Sequence, residues 1–134
     1  MSSPARDAET IEETTRFRPR FDTNGLLPAI VVERASGAVV MMAWMNEQAL
    51  AATLETGFAH YWSRSRQALW KKGETSGALQ RVVEIRTDCD QDTLVLTVEI
   101  SRPEDTCHTG RPTCFYRSVP LGPGPLDRVL AFED

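Results

Sequence analysis

Apolar residues in this chain fall in short runs separated by turn chemistry, and the spacing within each run predicts its structure. Residues 28–33 and 39–44 are two β-rich runs, and Ala35-Ser36-Gly37 lies between them, which predicts a hairpin. Asn46 is a good helix N-cap, Glu47 puts an acid in the first turn, and Gly57 supplies a stop, so a helix is expected over 47–56. Met45 and Leu50 stand at the two positions of a hydrophobic staple, and Leu50 and Leu54 are expected on one face. Residues 58–63 read as a strand. Residues 64–77, with two glycines and four cations, read as a long loop. Leu79, Arg81, Val83 and Ile85 alternate with Gln80, Val82, Glu84 and Arg86, as do Leu94, Leu96, Val98 and Ile100 with Val95, Thr97 and Glu99. Each set predicts a strand. Beyond Pro103 recurrent Pro and Gly predict loop, including the stretch from Cys107 to Cys114.

About five strands and one or two helices make a compact α+β single domain of mainly antiparallel strands. The domain is expected over 23–134, starting at the turn Asp22-Thr23-Asn24-Gly25. Residues 1–22 carry nine charges and no sustained apolar period, and read as a flexible N-terminal extension. Within them Arg16, Arg18 and Arg20 alternate with Phe17, Pro19 and Phe21, either a phosphate-contacting arm or a solvated tail.

Length and charge narrow the classes. At 134 residues the chain suits one domain with a core of its own. A net charge of −4 argues against a nucleic-acid binder. No apolar run approaches a membrane span, and the first residues have no secretory apolar stretch. Three cysteines are an odd number, which a secreted disulfide framework disfavours, so a reduced cytoplasmic protein is expected.

Three constellations carry chemistry. Asp88, Asp90 and Asp92 alternate by two, which in extended chain puts three carboxylates on one side. Such like charges repel unless a cation neutralises them, and hard oxygen ligands suit magnesium or calcium. An EF-hand is excluded, because Thr93 stands where that loop needs Gly, although Glu99 fits its last position. A solvated acidic turn remains the alternative. Cys89, Cys107 and Cys114 have the spacing C-x17-C-x6-C, unlike the paired cysteines of zinc ribbons. Three soft thiolates suit zinc and would leave a position for water, whose pKa zinc lowers towards ~7. Three buried free thiols are the plain alternative. From His60 to Arg81 the cations Arg64, Arg66, Lys71, Lys72 and Arg81 face one acid, Glu74, with Tyr61, Trp62 and Trp70 interleaved. That set suits phosphate and a stacked base, or is simply a solvated loop. His108 could ligate metal or move protons, while His60 is expected to be structural.

Taken together, Tyr61-Trp62-Ser63-Arg64-Ser65-Arg66, Leu69-Trp70-Lys71-Lys72-Gly73-Glu74-Thr75-Ser76-Gly77, Asp88-Cys89-Asp90-x-Asp92, Cys107-His108-Thr109-Gly110-Arg111 and Cys114-Phe115 resemble the phosphoribosyl-AMP cyclohydrolases of histidine biosynthesis. The resemblance runs from about Gly25 to Arg117. It implies hydrolytic opening of the adenine ring between N1 and C6, in a cytoplasmic homodimer using zinc and magnesium. It implies Cys89, Cys107 and Cys114 as zinc ligands shared between subunits, one zinc per subunit, and Asp88, Asp90 and Asp92 as magnesium ligands. His108 becomes the expected proton carrier. Trp62, Arg64, Arg66, Lys72, Thr75, Ser76 and Arg111 become the expected substrate-binding residues. A pyrophosphohydrolase fused in some relatives is not expected here.

Overall fold

The computed structural model describes residues 10–133. Its elements follow in the order β1 (Leu27–Glu33), β2 (Val39–Met45), α1 (Glu47–Thr56), β3 (His60–Ser63), β4 (Ala68–Lys71), β5 (Gln80–Thr87) and β6 (Leu94–Ile100). A 3-10 turn at Pro103–Asp105 and two short strands, β7 (Arg117–Ser118) and β8 (Ala131–Phe132), complete it.

The strict alternation of β1 and β6 explains the main sheet. Leu27, Ala29 and Val31 of β1 and Leu94, Leu96 and Val98 of β6 are buried, and their neighbours are wetter. Fully burying one such large side chain stabilises by about 1.5–3 kcal/mol, enough to fix the register of both strands. The sheet order is β2-β1-β6-β5. The β1–β2 and β5–β6 pairs are antiparallel, as expected, but β1 and β6 run parallel, Ala29 opposite Leu94. β3 and β4 form a separate antiparallel ribbon, and a single bridge joins Phe58 to Arg81 of β5.

The helix forms where its caps put it. Asn46 Oδ1 accepts from Ala49 N at 2.8 Å, and Gly57, at φ 79°, closes the other end with its N–H on Thr53 O. Met45 and Leu50 are both buried, as a staple requires. Its core face is Ala49, Leu50 and Thr53, whereas Leu54 is exposed and lies beside Phe17 and Ile85. Four residues on from Leu50 the helix has turned by 40°, which carries Leu54 off the core edge.

The expected loop at 64–77 contains β4. Gln67, at φ 50°, takes the left-handed position of the β3–β4 turn, a place where glycine would have signalled a hairpin. The ribbon is anchored by Tyr61, which is fully buried and donates to Gln80 Oε1 at 2.6 Å. Gln80 Nε2 contacts Met41 Sδ at 3.2 Å, so this buried polar pair is satisfied. His60 Nδ1 lies 2.8 Å from Phe58 O, a structural role.

Candidate active site

The β3–β4 ribbon builds a basic trough. Trp62, Ser63, Arg64, Ser65, Arg66 and Trp70 line it, with Ala43 and Trp44 of β2 as its opposite wall, and it encloses about 560 Å³. The Arg64 guanidinium sits over the Trp44 ring, 4.8 Å from its centroid, and Arg66 Nε reaches Ser63 Oγ at 3.4 Å. Two guanidiniums and two hydroxyls facing indole rings can bind phosphate and stack a base.

Trp44 also walls a second cleft of about 420 Å³, with Arg20, Phe21, Asp90, Asp92 and Thr93 among its other lining residues. The acidic residues converge here, but in a turn and not in extended chain. Asp88 Oδ1 accepts from Asp92 N at 3.0 Å and from Thr93 N at 3.1 Å, and Gln91 takes a left-handed φ of 58°. That turn gathers one carboxylate oxygen from each of Asp88, Asp90 and Asp92 within 4.8 Å of the others. Hydrogen bonding by Asp92 and Asp88, reinforced by their negative charges, raises the Asp90 pKa. Desolvation opposes ionisation of Asp88, but its hydrogen bonds with Asp92, Asp90 and the backbone together outweigh it, and its pKa is lowered. A carboxyl raised beside one lowered is the pattern of like charges crowded together, and three such oxygens fit a hard divalent cation.

The thiols divide. Cys107 is buried while Cys89 and Cys114 are exposed. Cys107 receives the Thr109 hydroxyl at 3.1 Å, and Cys107, Cys114 and the Lys72 ammonium lie close enough to shift one another's ionisation. Burial opposes ionisation of Cys107, but the Thr109 hydrogen bonds, Cys114 and Lys72 outweigh it and lower its pKa. Desolvation and the neighbouring Cys107 push Cys114 up to about 11. Among the described residues the aspartates alone form a cluster of three metal-competent side chains, so Cys89 does not join the other two thiols within one chain. Cys107 and Cys114 fit zinc as two soft ligands of a larger set.

Other expected site residues are dispersed. His108 is exposed, with Nδ1 4.0 Å from Cys107 Sγ. Lys72 donates to Thr106 O beside the cysteines, not into the trough with Arg64 and Arg66. Its pKa is lowered by desolvation, against the pull of Cys114 and Cys107. Thr75 and Ser76 are exposed in the turn after Lys72, where Ser76 Oγ accepts from Ala78 N. Arg111 stacks on Tyr116 at 4.0 Å and near Phe132 at 5.4 Å, and its carbonyl accepts from Cys107 N. Sequence reasoning missed Trp44, which reads as one more apolar residue of a strand. Its signal is position, since it alternates with the buried Met45 and so faces the opposite side of β2.

Fold and site together define a small α+β domain that sets a cationic aromatic trough next to a turn of three carboxylates. Comparison with known proteins gives the family. A model of the phosphoribosyl-AMP cyclohydrolase family matches residues 41–116. A phosphoribosyl-AMP cyclohydrolase of Brucella anthropi is 61% identical over 127 residues, covering 95% of this chain and 89% of the relative. One from Brucella abortus (strain S19) is 57% identical over 127 residues, covering 95% and 91%. One from Chelativorans sp. (strain BNC1) is 56% identical over 124 residues, covering 92% and 89%. The chain belongs to the phosphoribosyl-AMP cyclohydrolase family. No helix among the described residues is long and apolar enough to cross a membrane.

Proposed function

We propose that the chain opens the adenine ring of phosphoribosyl-AMP by hydrolysis, as a cytoplasmic enzyme of histidine biosynthesis whose catalytic domain spans 23–134. Water adds at C6, the N1–C6 bond breaks, N1 takes a proton, and the product is the phosphoribosyl-formimino aminoimidazole carboxamide. The observation that carries this reading is that Trp44 walls both the basic trough and the carboxylate cleft, so one bound nucleotide can reach both.

In this reading Arg64 and Arg66 bind a phosphate and Trp62 packs on the substrate, with Thr75 and Ser76 extending the contacts, while Lys72 and Arg111 stay with the groups that engage them. Asp88, Asp90 and Asp92 hold magnesium. Cys107 and Cys114 hold zinc together with Cys89 of a second copy, which makes the active form a homodimer with one zinc per subunit. Zinc in an open thiolate site lowers the pKa of water and so supplies a nucleophile at neutral pH. The exposed imidazole of His108, next to Cys107 in sequence, carries the proton from water to N1. Lys72, half-buried against both thiols, favours their charged form.

Purified protein supplied with zinc and magnesium is expected to open phosphoribosyl-AMP, followed by ultraviolet absorbance. Cys107→Ala is expected to lose bound zinc and turnover together. Folded, zinc-loaded dimer that leaves the substrate intact contradicts the reading.

A further inference from the structure

One side chain ties the N-terminal segment to the carboxylate turn. Gln91 stands between Asp90 and Asp92, is 4% exposed and holds a left-handed φ of 58°. Its amide is directed entirely at the segment 11–18. Oε1 accepts from Arg18 N at 2.7 Å, and Nε2 donates to Arg16 O at 3.2 Å and to Ile11 O at 3.3 Å. Its carbonyl accepts from Arg20 N at 2.7 Å, and its N–H closes the turn on Asp88 O. The same segment adds apolar grip, with Phe21 packed against the core and Phe17 beside Leu54 and Ile85.

The turn is therefore fixed twice, by Asp88 from within and by Gln91 from the arm. This matters because three carboxylates in one turn relieve their repulsion by spreading apart. A cation site needs the opposite, oxygens held together before the ion arrives, and side chains behind the ligands supply that. The Gln91 amide is committed to the arm, Oε1 to Arg18 N and Nε2 to Arg16 O and Ile11 O, so it supports the turn from behind the ligands. A buried amide whose partners were withdrawn would be left unsatisfied, so arm and turn hold or release together.

We propose that Gln91 is a positioning residue for a divalent cation at Asp88, Asp90 and Asp92, and that residues 11–20 are the anchor it works against. Cation binding and arm docking are then one coupled equilibrium, and each must favour the other by the same factor. The proposal rests on the reading of the three aspartates as a cation site.

The test uses full-length protein, Mn2+ as the probe with binding followed by calorimetry, and trypsin cleavage after Arg16 and Arg20 as the report on the arm. Gln91→Ala removes the clamp. Gln91→Gly removes it too but suits the left-handed backbone. Arg18→Pro leaves the turn untouched and deletes the N–H that Oε1 accepts. All three are expected to bind Mn2+ roughly tenfold more weakly. Mn2+ is expected to slow cleavage of the wild-type arm and to leave cleavage of Gln91→Ala unchanged. Wild-type affinity in Gln91→Ala, in Gln91→Gly or in Arg18→Pro overturns the proposal, the glycine result assigning the effect to backbone conformation alone. Wild-type protein that binds no Mn2+ overturns the cation reading beneath it.

Discussion

Replacing Gly73 by alanine should cost far more than the same change at Gly57, and the pair separates two reasons for a glycine. Their φ angles are nearly equal, +82° and +79°, so each alanine pays a similar left-handed penalty of about 1–2 kcal/mol. At Gly57 the added Cβ meets nothing within 4 Å. At Gly73 it would lie 2.2 Å from the Ala78 carbonyl carbon and 2.3 Å from Ala78 O and Leu79 N. Those are backbone atoms of a turn closed by Gly77 N on Gly73 O at 2.8 Å, leading directly into β5, and they cannot swing aside as a side chain can. Forcing them apart should add about 1–3 kcal/mol. Gly73→Ala is then expected to lose roughly 2–5 kcal/mol in all, against roughly 1–2 for Gly57→Ala. Urea unfolding at one protein concentration, followed by tryptophan fluorescence, measures both, with an unchanged slope required for the comparison. In melting temperature the difference of 1–3 kcal/mol is worth roughly 3–5 °C per kcal/mol for a chain of this size. Equal losses at the two positions would refute the close-approach argument. The result bears on the site, because the turn that Gly73 permits carries Lys72 to the paired cysteines.

Two further outcomes follow from buried and exposed contacts. Tyr61→Phe strands the buried Gln80 Oε1 and should cost about 1–3 kcal/mol in denaturant unfolding. Burial raises the Tyr61 pKa far above its ordinary value, so above about pH 10 the unfolded chain ionises and the folded one does not. Stability should then fall as pH rises through that range, by up to about 1.4 kcal/mol per pH unit, and Tyr61→Phe should lose this slope. Arg64→Ala should raise KM for phosphoribosyl-AMP about tenfold with little change in kcat, and reduce the salt dependence of kcat/KM. An unchanged KM would place the substrate phosphate elsewhere.

Local chemistry was legible in the sequence, and long-range placement was not. The β1–β2 hairpin, the capped helix at 47–56 and the alternating strands β5 and β6 each follow from signals within a dozen residues. β4 was hidden because its turn uses Gln67 where the hairpin code expects glycine. The parallel β1–β6 pairing joins strands about sixty residues apart, and no local pattern specifies it. The carboxylates were readable as a group, but their convergence comes from a left-handed Gln91, not from extended alternation. The described part of the expected extension, residues 10–22, is hydrogen-bonded to Gln91, a contact between residues more than seventy positions apart. Residues 1–9 lie outside the described residues. Lys72 reads as a phosphate ligand by charge and Arg111 as a substrate ligand by resemblance, yet each charge is engaged by a group distant in sequence, Thr106 for Lys72 and Phe132 for Arg111.

The proposed hydrolysis depends on a site completed by two copies of the chain. Cys89→Ala and Cys107→Ala should each be inactive on phosphoribosyl-AMP, since each removes one thiol from every site. Unfolded and refolded together, they form mixed dimers in which one site keeps all three cysteines. With random pairing in a two-fold dimer, turnover should recover to about a quarter of wild type. Recovery near that level, with zinc bound in proportion, is the result predicted. Folded mixed dimers with no recovered turnover, or full activity in either single variant, would contradict the shared site.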